Sequence, residues 1–165
     1  MAIQPRRTFL KQNLALGTSA LLLANAKAAE TIIKVGFIGP GGMGTNHLRL
    51  LVQRKDVSID YICEPDSARL ASAIKLVQDA KGNQPKGVKD MRQVLDDKSI
   101  DAVWIATPDH WHGPATILAC DAGKHVYVEK PCSHNIREGK LMIEAARRNK
   151  KIVQVGTQSR STAHV

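Results

Sequence analysis

Residues 34–47 read Lys-Val-Gly-Phe-Ile-Gly-Pro-Gly-Gly-Met-Gly-Thr-Asn-His, and they carry the strongest signal for a fold class in the sequence. Residues 31–38, which lead into the glycines, are an apolar and β-branched run that predicts a strand. After the glycines, residues 45–54 place leucine and valine at helical spacing, which predicts a helix. A strand, a glycine turn and a helix in this order form the opening unit of a parallel α/β sheet.

The turn matches the pattern G-x-G-x-x-G through Gly39, Gly41 and Gly44. Gly39 permits the tight turn, Gly41 lets the backbone approach a pyrophosphate, and Gly44 lets the helix pack close to the strand. Gly42 and Met43 complete the loop at the helix N-terminus, which faces phosphate charge. We therefore expect these five residues to bind a dinucleotide.

An acidic residue supports this reading, because the fingerprint places a carboxylate about 20 residues further on to bind the ribose hydroxyls. Glu64 stands there, directly after a predicted strand at residues 58–63. Its charge favours NAD, since a carboxylate repels the 2′-phosphate of NADP. NADP stays possible because Arg69 could receive that phosphate. Asp66 is a second candidate for the ribose, or else the N-cap of the helix that follows.

Predicted helices and strands alternate along the rest of the chain, as in an open parallel sheet with helices on both faces. The further helices are expected at residues 66–80, 91–96, 114–122 and 136–149. The further strands are expected near residues 87–88 and at 102–106, 125–128 and 152–155. With six strands, the predicted fold is α/β with a doubly wound parallel (Rossmann) sheet, in a domain at residues 30–158.

Composition and charge narrow the classes of protein. The 165 residues are 43% hydrophobic and 24% charged, which is the composition of an ordinary globular protein. The net charge of +9 falls to +5 from Glu30 onward, because residues 1–29 hold four basic residues and no acid. The remaining basic residues are dispersed, and no nucleic-acid motif interleaves aromatic residues with them. We therefore expect no nucleic-acid partner.

The first 29 residues have the layout of an export signal. Arg6 and Arg7 are followed by Thr-Phe-Leu-Lys, then by an apolar run at residues 14–24 and by small residues suited to cleavage. The pair of arginines indicates the twin-arginine route, which exports folded proteins to the periplasm or outside the cell, and an ordinary secretory signal is the alternative. The apolar run is shorter than the roughly 20 residues of a membrane span, so no permanent anchor is expected.

No metal site is predicted. Cys63, Cys120 and Cys132 are odd in number and contain no Cys-x-x-Cys pair, so neither zinc ligation nor a disulfide framework is indicated. His110 and His112 lie two residues apart in a predicted loop and lack a third ligand.

Two further motifs follow predicted strands, where open α/β sheets bind their ligands. Thr107 and Pro108 begin a turn that continues through Trp111 and His112, and the next strand ends in Glu-Lys-Pro at residues 129–131. A lysine in such a place can hydrogen-bond a substrate oxygen and stabilise charge as a reaction proceeds. Lys130 is therefore a candidate catalytic residue, with an ordinary surface lysine as the alternative.

With these motifs together, the chain resembles the Gfo/Idh/MocA oxidoreductases, relatives of glucose-fructose oxidoreductase and inositol dehydrogenase. The resemblance covers residues 32–160 and is most specific at residues 123–131, Gly-Lys-His-Val-Tyr-Val-Glu-Lys-Pro. It implies an NAD(P)-dependent enzyme acting on a sugar or polyol, homo-oligomeric at full length, with Lys130 catalytic and His112 shaping the pocket. It further implies that the cofactor groove includes Thr107, Pro108, Trp111, His112, Glu129 and Lys130.

The resemblance leaves alternatives. Members continue into a second α/β domain, so residues 159–165 are expected to begin a domain that this sequence lacks. The chain could thus be a nucleotide-binding module without turnover. NAD-dependent glycosidases are also similar around Trp111 and His112, but tend to lack a lysine after the glutamate, so that Lys130 favours redox chemistry.

Overall fold

A computed structural model describes residues 32–161. The predicted export signal at residues 1–29 lies outside the described residues, and so do residues 162–165 of the segment expected to begin a next domain.

The described chain forms one six-stranded parallel sheet in the order β3-β2-β1-β4-β5-β6. This order confirms the doubly wound sheet expected from the sequence. The order in which successive strands are added reverses between β1 and β4, and such sheets bind ligands at this switch point. The strands are β1 Ile33–Ile38, β2 Val57–Cys63, β3 Lys86–Val88, β4 Ala102–Ile105, β5 His125–Glu129 and β6 Val153–Gly156.

Five helices connect the strands and cover both faces. Two of them pack on the face that buries Phe37: α1 Gly42–Leu51 and α2 Ser67–Lys81. The other three pack on the opposite face: α3 Arg92–Leu95, α4 His112–Asp121 and α5 Ile136–Arg148. Short 3-10 turns precede α4 and follow β6, at Asp109–Trp111 and Gln158–Ser161.

Burial on both faces explains why the strands are nearly continuous apolar runs. Phe37 and Ile105 are fully buried and lie on opposite faces of adjacent strands. The helix ends follow local chemistry. Asp66 caps α2 by accepting from two backbone amides, and Gly82 ends that helix in the left-handed region at φ +76°. Asn135 caps α5 by accepting from the Glu138 amide, and the Glu138 carboxylate accepts in return from the Asn135 side-chain amide.

Two predicted helix starts differ from the structure. The first helix begins at Gly42, inside the glycine loop, and not at residue 45. The fourth begins at His112 and not at Pro114, because a 3-10 turn leads directly into it. Glycine and proline are weak helix formers, but both are tolerated in a first turn, where the amides have no partner within the helix. In both places the functional loop therefore merges with the helix N-terminus.

Within residues 32–161, no helix combines the length and the hydropathy that crossing a bilayer requires.

Candidate functional site

A cleft of about 880 Å³ opens at the carboxyl ends of β1, β2 and β4, over the switch point of the sheet. It brings together seven of the residues that the sequence assigned to a cofactor: Gly39, Gly41, Gly42, Glu64, Thr107, Pro108 and Trp111. The other predicted residues, Met43, Gly44, His112, Glu129 and Lys130, are not part of the cleft wall. Their cofactor contacts stay predictions.

The glycines of the loop have different surroundings. Gly39 has φ +85°, and a Cβ there would lie 2.8 Å from the backbone nitrogen of Thr107. At Gly44 a Cβ would lie 2.2 Å from the carbonyl oxygen of Gly39, because α1 packs closely against the loop at this point. Gly41 and Gly42 have no atom within 4 Å of a Cβ position. Packing thus explains why Gly39 and Gly44 are glycines. Gly41 and Gly42 border open space that could hold part of a ligand.

The N-terminus of α1 is suited to an anion. The N-cap residue is Gly41, which has no side chain to accept from the first amides of the helix. The loop is held from below by Thr45, whose hydroxyl donates to the carbonyl oxygen of Pro40 at 2.9 Å. An uncapped helix start next to an open glycine loop concentrates backbone N–H groups and the positive end of the helix dipole. These features fit the pyrophosphate of a dinucleotide.

Glu64 supplies a carboxylate to the cleft and follows Cys63, whose carbonyl oxygen accepts from the Gly39 amide at 2.9 Å. It is only 8% exposed, and its Oε1 accepts from the amide of Asp66 at 3.1 Å. The carboxylate of Asp66 instead accepts from the amides of Arg69 and Ala68, which hold its pKa below the ordinary value. Asp66 therefore serves as the helix cap, and Glu64, unlike Asp66, lines the cleft.

Residues after β3 complete this side of the cleft, and no sequence motif predicted them there. Lys89 and Arg92 join Arg69 on the wall beside Glu64. Arg92 is paired with Asp90 at 2.6 Å, which partly neutralises its charge. The strand order could have indicated the loop, because β3 neighbours β2 and its carboxyl end must lie close to Glu64.

His112 connects two turns and does not face the cleft. The side chain is buried at 2% exposure, with Nε2 2.8 Å from the carbonyl oxygen of Thr107 and Nδ1 2.6 Å from that of Pro131. These contacts support a part in holding the turns, while its predicted catalytic role stays a prediction. The Thr107 hydroxyl is buried and has no hydrogen-bond partner in residues 32–161. A buried polar atom of this kind needs a partner, and a bound ligand would supply one.

The Glu129-Lys130-Pro131 turn lies at the end of β5, at the same edge of the sheet as the cleft. The Lys130 side chain is exposed, and its peptide bond to Pro131 is cis. Glu129 is buried at 4% exposure, and its Oε2 accepts from the Lys130 amide at 2.9 Å. Its Oε1 accepts from the side-chain amide of Gln158 at 2.6 Å and lies 3.1 Å from His47 Nε2. The carboxylate therefore anchors the turn that presents Lys130.

The cysteines show no sign of reactivity at the site. Cys63 lines the cleft, but burial and then the nearby carboxylate of Asp90 raise the pKa of its thiol to about 12. Cys120 is buried in the same core cluster as Cys63, and Cys132 is half-buried. Among residues 32–161, no three His, Cys, Asp or Glu side chains are arranged to hold a metal ion.

Comparison with known proteins also indicates a dinucleotide-binding fold. Residues 33–157 match the model of an oxidoreductase family with an NAD-binding Rossmann fold. The chain is 32% identical over 126 residues to glycosyl hydrolase family 109 protein 1 of Shewanella sp. strain ANA-3. It is 31% identical over 124 residues to an alpha-N-acetylgalactosaminidase of Shewanella oneidensis. Each alignment covers 73% of this chain and 27% of the relative.

Among solved structures, myo-inositol 2-dehydrogenase from Lactobacillus plantarum superposes with a TM-score of 0.71 at 27% identity. The match covers 81% of this chain and 38% of the dehydrogenase. The chain therefore spans about a quarter of the length of the curated relatives and somewhat over a third of that structure.

Proposed function

The chain belongs to the Gfo/Idh/MocA oxidoreductase family, and from this we propose that it forms the NAD-binding part of an enzyme that oxidises or reduces a sugar or polyol. The main support is one arrangement: the open glycine loop and Glu64 share a cleft, and Lys130 stands at a strand end on the same edge of the sheet.

Residues of the chain would divide the cofactor between them. Gly41, Gly42 and the N-terminus of α1 would hold the pyrophosphate, and Glu64 would accept hydrogen bonds from the adenosine ribose. The unpaired hydroxyl of Thr107 would contact the part that lies over β4. NAD, when bound, supplies an acceptor or donor of hydride. The protein supplies binding, orientation and electrostatics.

Lys130 would act on the substrate. Its exposed ammonium can donate to the oxygen on the reacting carbon, holding that oxygen in place and stabilising the negative charge that develops on it. Glu129 would keep the turn in position through the Lys130 amide. The sugar or polyol itself would be selected by contacts outside the cleft described above.

For the cofactor we propose NAD over NADP. In this proposal the carboxylate of Glu64 on the cleft wall would face the 2′-phosphate of NADP, and like charges at close range repel. Arg69 and Lys89 on the same wall reduce this penalty. We therefore expect a preference and not complete exclusion.

A glycosidase that uses bound NAD is the second candidate, and the names of the curated relatives favour it. The lysine at residue 130 favours net redox chemistry over it. The two differ in turnover: a dehydrogenase accumulates reduced cofactor in proportion to the sugar or polyol consumed, whereas a glycosidase releases the leaving group with no net change in the cofactor.

Calorimetric titration of the protein with NAD and NADP tests the binding proposal. We expect NAD to bind at least about tenfold more tightly than NADP, which is a difference in binding free energy of about 1.4 kcal/mol. The variant Glu64→Gln should narrow that ratio, because it removes the charge and keeps the shape. Failure of both nucleotides to bind at millimolar concentration would refute the proposal. An unchanged ratio in the variant would refute the role of Glu64.

We further propose that the protein is exported folded by the twin-arginine route and that it assembles as a homo-oligomer at full length. Export after folding suits a protein that must acquire NAD in the cytoplasm. Replacing both Arg6 and Arg7 by lysine should leave the protein in the cytoplasm, as measured by cell fractionation. Continued export of that variant would point to an ordinary secretory signal, and sedimentation would give the oligomeric state.

A further inference from the structure

A polar cluster lies under α1, on the sheet face that α1 and α2 cover. It consists of His47 from α1, Trp104 from β4, and Tyr127 and Glu129 from β5. His47 is 7% exposed and Glu129 is 4% exposed. The Trp104 indole N–H donates to His47 Nδ1 at 3.0 Å, and His47 Nε2 lies 3.1 Å from Glu129 Oε1. Both nitrogens of the buried ring therefore have partners.

The contacts define one form of the histidine. An indole N–H can only donate, so His47 Nδ1 must be the unprotonated acceptor. The neutral ring then carries its proton on Nε2, from which it donates to Glu129. The rings of Trp104 and Tyr127 stack on each other at 3.7 Å, and each meets the imidazole edge to face, at 5.5 and 5.7 Å. These contacts hold the orientation of the ring.

The cluster joins the two ends of the proposed active site. His47 lies one helical turn after Gly44, so it is rigidly connected to the phosphate-binding end of α1. Glu129 accepts from His47 through one oxygen and from the Lys130 amide through the other. A path of three hydrogen-bonded residues thus runs from the helix behind the glycine loop to the turn that presents Lys130.

We propose that His47 is a positioning residue that fixes the Glu129–Lys130 turn relative to the glycine loop. It does so by donating from Nε2 to Glu129 while Trp104 holds Nδ1. The inference rests on the proposed function, because it concerns the placement of Lys130 relative to bound dinucleotide. A purely structural histidine would contribute to stability alone and would not link ligand binding at the loop to the environment of Lys130.

Nuclear magnetic resonance on the labelled protein tests the link, with ADP-ribose as the probe because it lacks the nicotinamide. In the unsubstituted protein, the probe should shift the amide signals of both Gly41 and Lys130. In His47→Phe the Gly41 shift should remain, with affinity within about twofold, and the Lys130 shift should fall to less than about half. His47→Gln keeps an N–H donor and should restore most of the response. Asn46→Ala, an exposed neighbour on α1, should respond like the unsubstituted protein.

Each outcome has one meaning. An unchanged Lys130 shift in His47→Phe would overturn the positioning role alone, and so would ring nitrogen signals that place the His47 proton on Nδ1. The absence of any Gly41 shift in the unsubstituted protein would overturn the proposed function, and the positioning role with it. In a preparation that turns over substrate, His47→Phe should lower kcat about tenfold and leave the KM for NAD within about twofold of the unsubstituted value. Equal changes in both constants would count against the proposal.

Discussion

The same substitution at two glycines of the loop should have opposite effects. At Gly44 an added methyl would lie 2.2 Å from the carbonyl oxygen of Gly39, far inside the 3.4 Å at which ordinary contact begins. Gly39 has little room to move, because even a Cβ built there would lie 2.8 Å from the backbone nitrogen of Thr107. Overpacking of this kind costs about 1–3 kcal/mol, so Gly44→Ala should lower the free energy of unfolding by about 2 kcal/mol.

At Gly41 nothing lies within 4 Å of the added methyl, and the residue has φ −70°, which alanine adopts without strain. Gly41→Ala should therefore change the free energy of unfolding by less than about 1 kcal/mol, because the gain through the unfolded state is offset by alanine being a poorer N-cap. The open space is where we place the pyrophosphate. The methyl should weaken NAD binding about tenfold or more, which is about 1.4 kcal/mol.

Urea denaturation followed by circular dichroism, together with calorimetric titration of NAD, measures both effects. With a denaturant slope of about 2 kcal/mol per molar, Gly44→Ala should shift the urea midpoint down by about 1 M. Gly82→Ala is the control, because Gly82 has φ +76° with no nearby atom and lies outside the cleft wall. It should lose about 1 kcal/mol of stability and keep NAD affinity. Unchanged NAD binding in Gly41→Ala would refute the placement of the pyrophosphate.

Other parts of the fold give further expected outcomes. Lys124 is 2% exposed and donates to the carbonyl oxygens of Asp97 and Ile100. Lys124→Met would leave both oxygens without this donor, so the free energy of unfolding, measured by urea denaturation, should fall by about 1–3 kcal/mol. Hydrogen bonds from Ser99 and then Tyr61 lower the pKa of the Asp97 carboxyl to about 2 from 3.8. Its contribution to stability is complete above about pH 4 and is lost as the pH falls toward about 2, so the urea midpoint of Asp97→Asn should fall less over that range. Lys130→Ala should abolish turnover in an active preparation but leave NAD affinity within about threefold, and unchanged turnover would refute its assignment.

Local signals account for what could be predicted from the sequence. The glycine loop, the acid at Glu64 and the alternation of apolar strands with helices each depend on residues close together in the chain. Right-handed crossovers limit the possible strand orders, and the glycine loop after β1 favours the dinucleotide-binding order among them. The cleft was predictable for the same reason, since it lies where the order reverses.

Contacts distant in sequence account for what could not be predicted. His47 and Trp104 are 57 residues apart, and no spacing rule links a helix histidine to a tryptophan in another strand. His112 stood in a motif, but its burial between two carbonyl oxygens depends on how α4 packs beside the end of β5. Lys89 and Arg92 lie in a loop without a recognisable motif, and they lie beside Glu64 because β3 pairs with β2.

The cluster around His47 has a consequence for how this sheet can build an active site. The glycine loop follows β1 and Lys130 follows β5, with β4 between them, so the two motifs lie on non-adjacent strands. His47 and Glu129 bridge that gap from above the sheet, and Trp104 in the intervening strand holds the histidine. Buried polar groups contribute little net stability compared with well-packed apolar residues of similar volume. Placement of Lys130 is therefore a better physical explanation than stability for polar residues beneath α1.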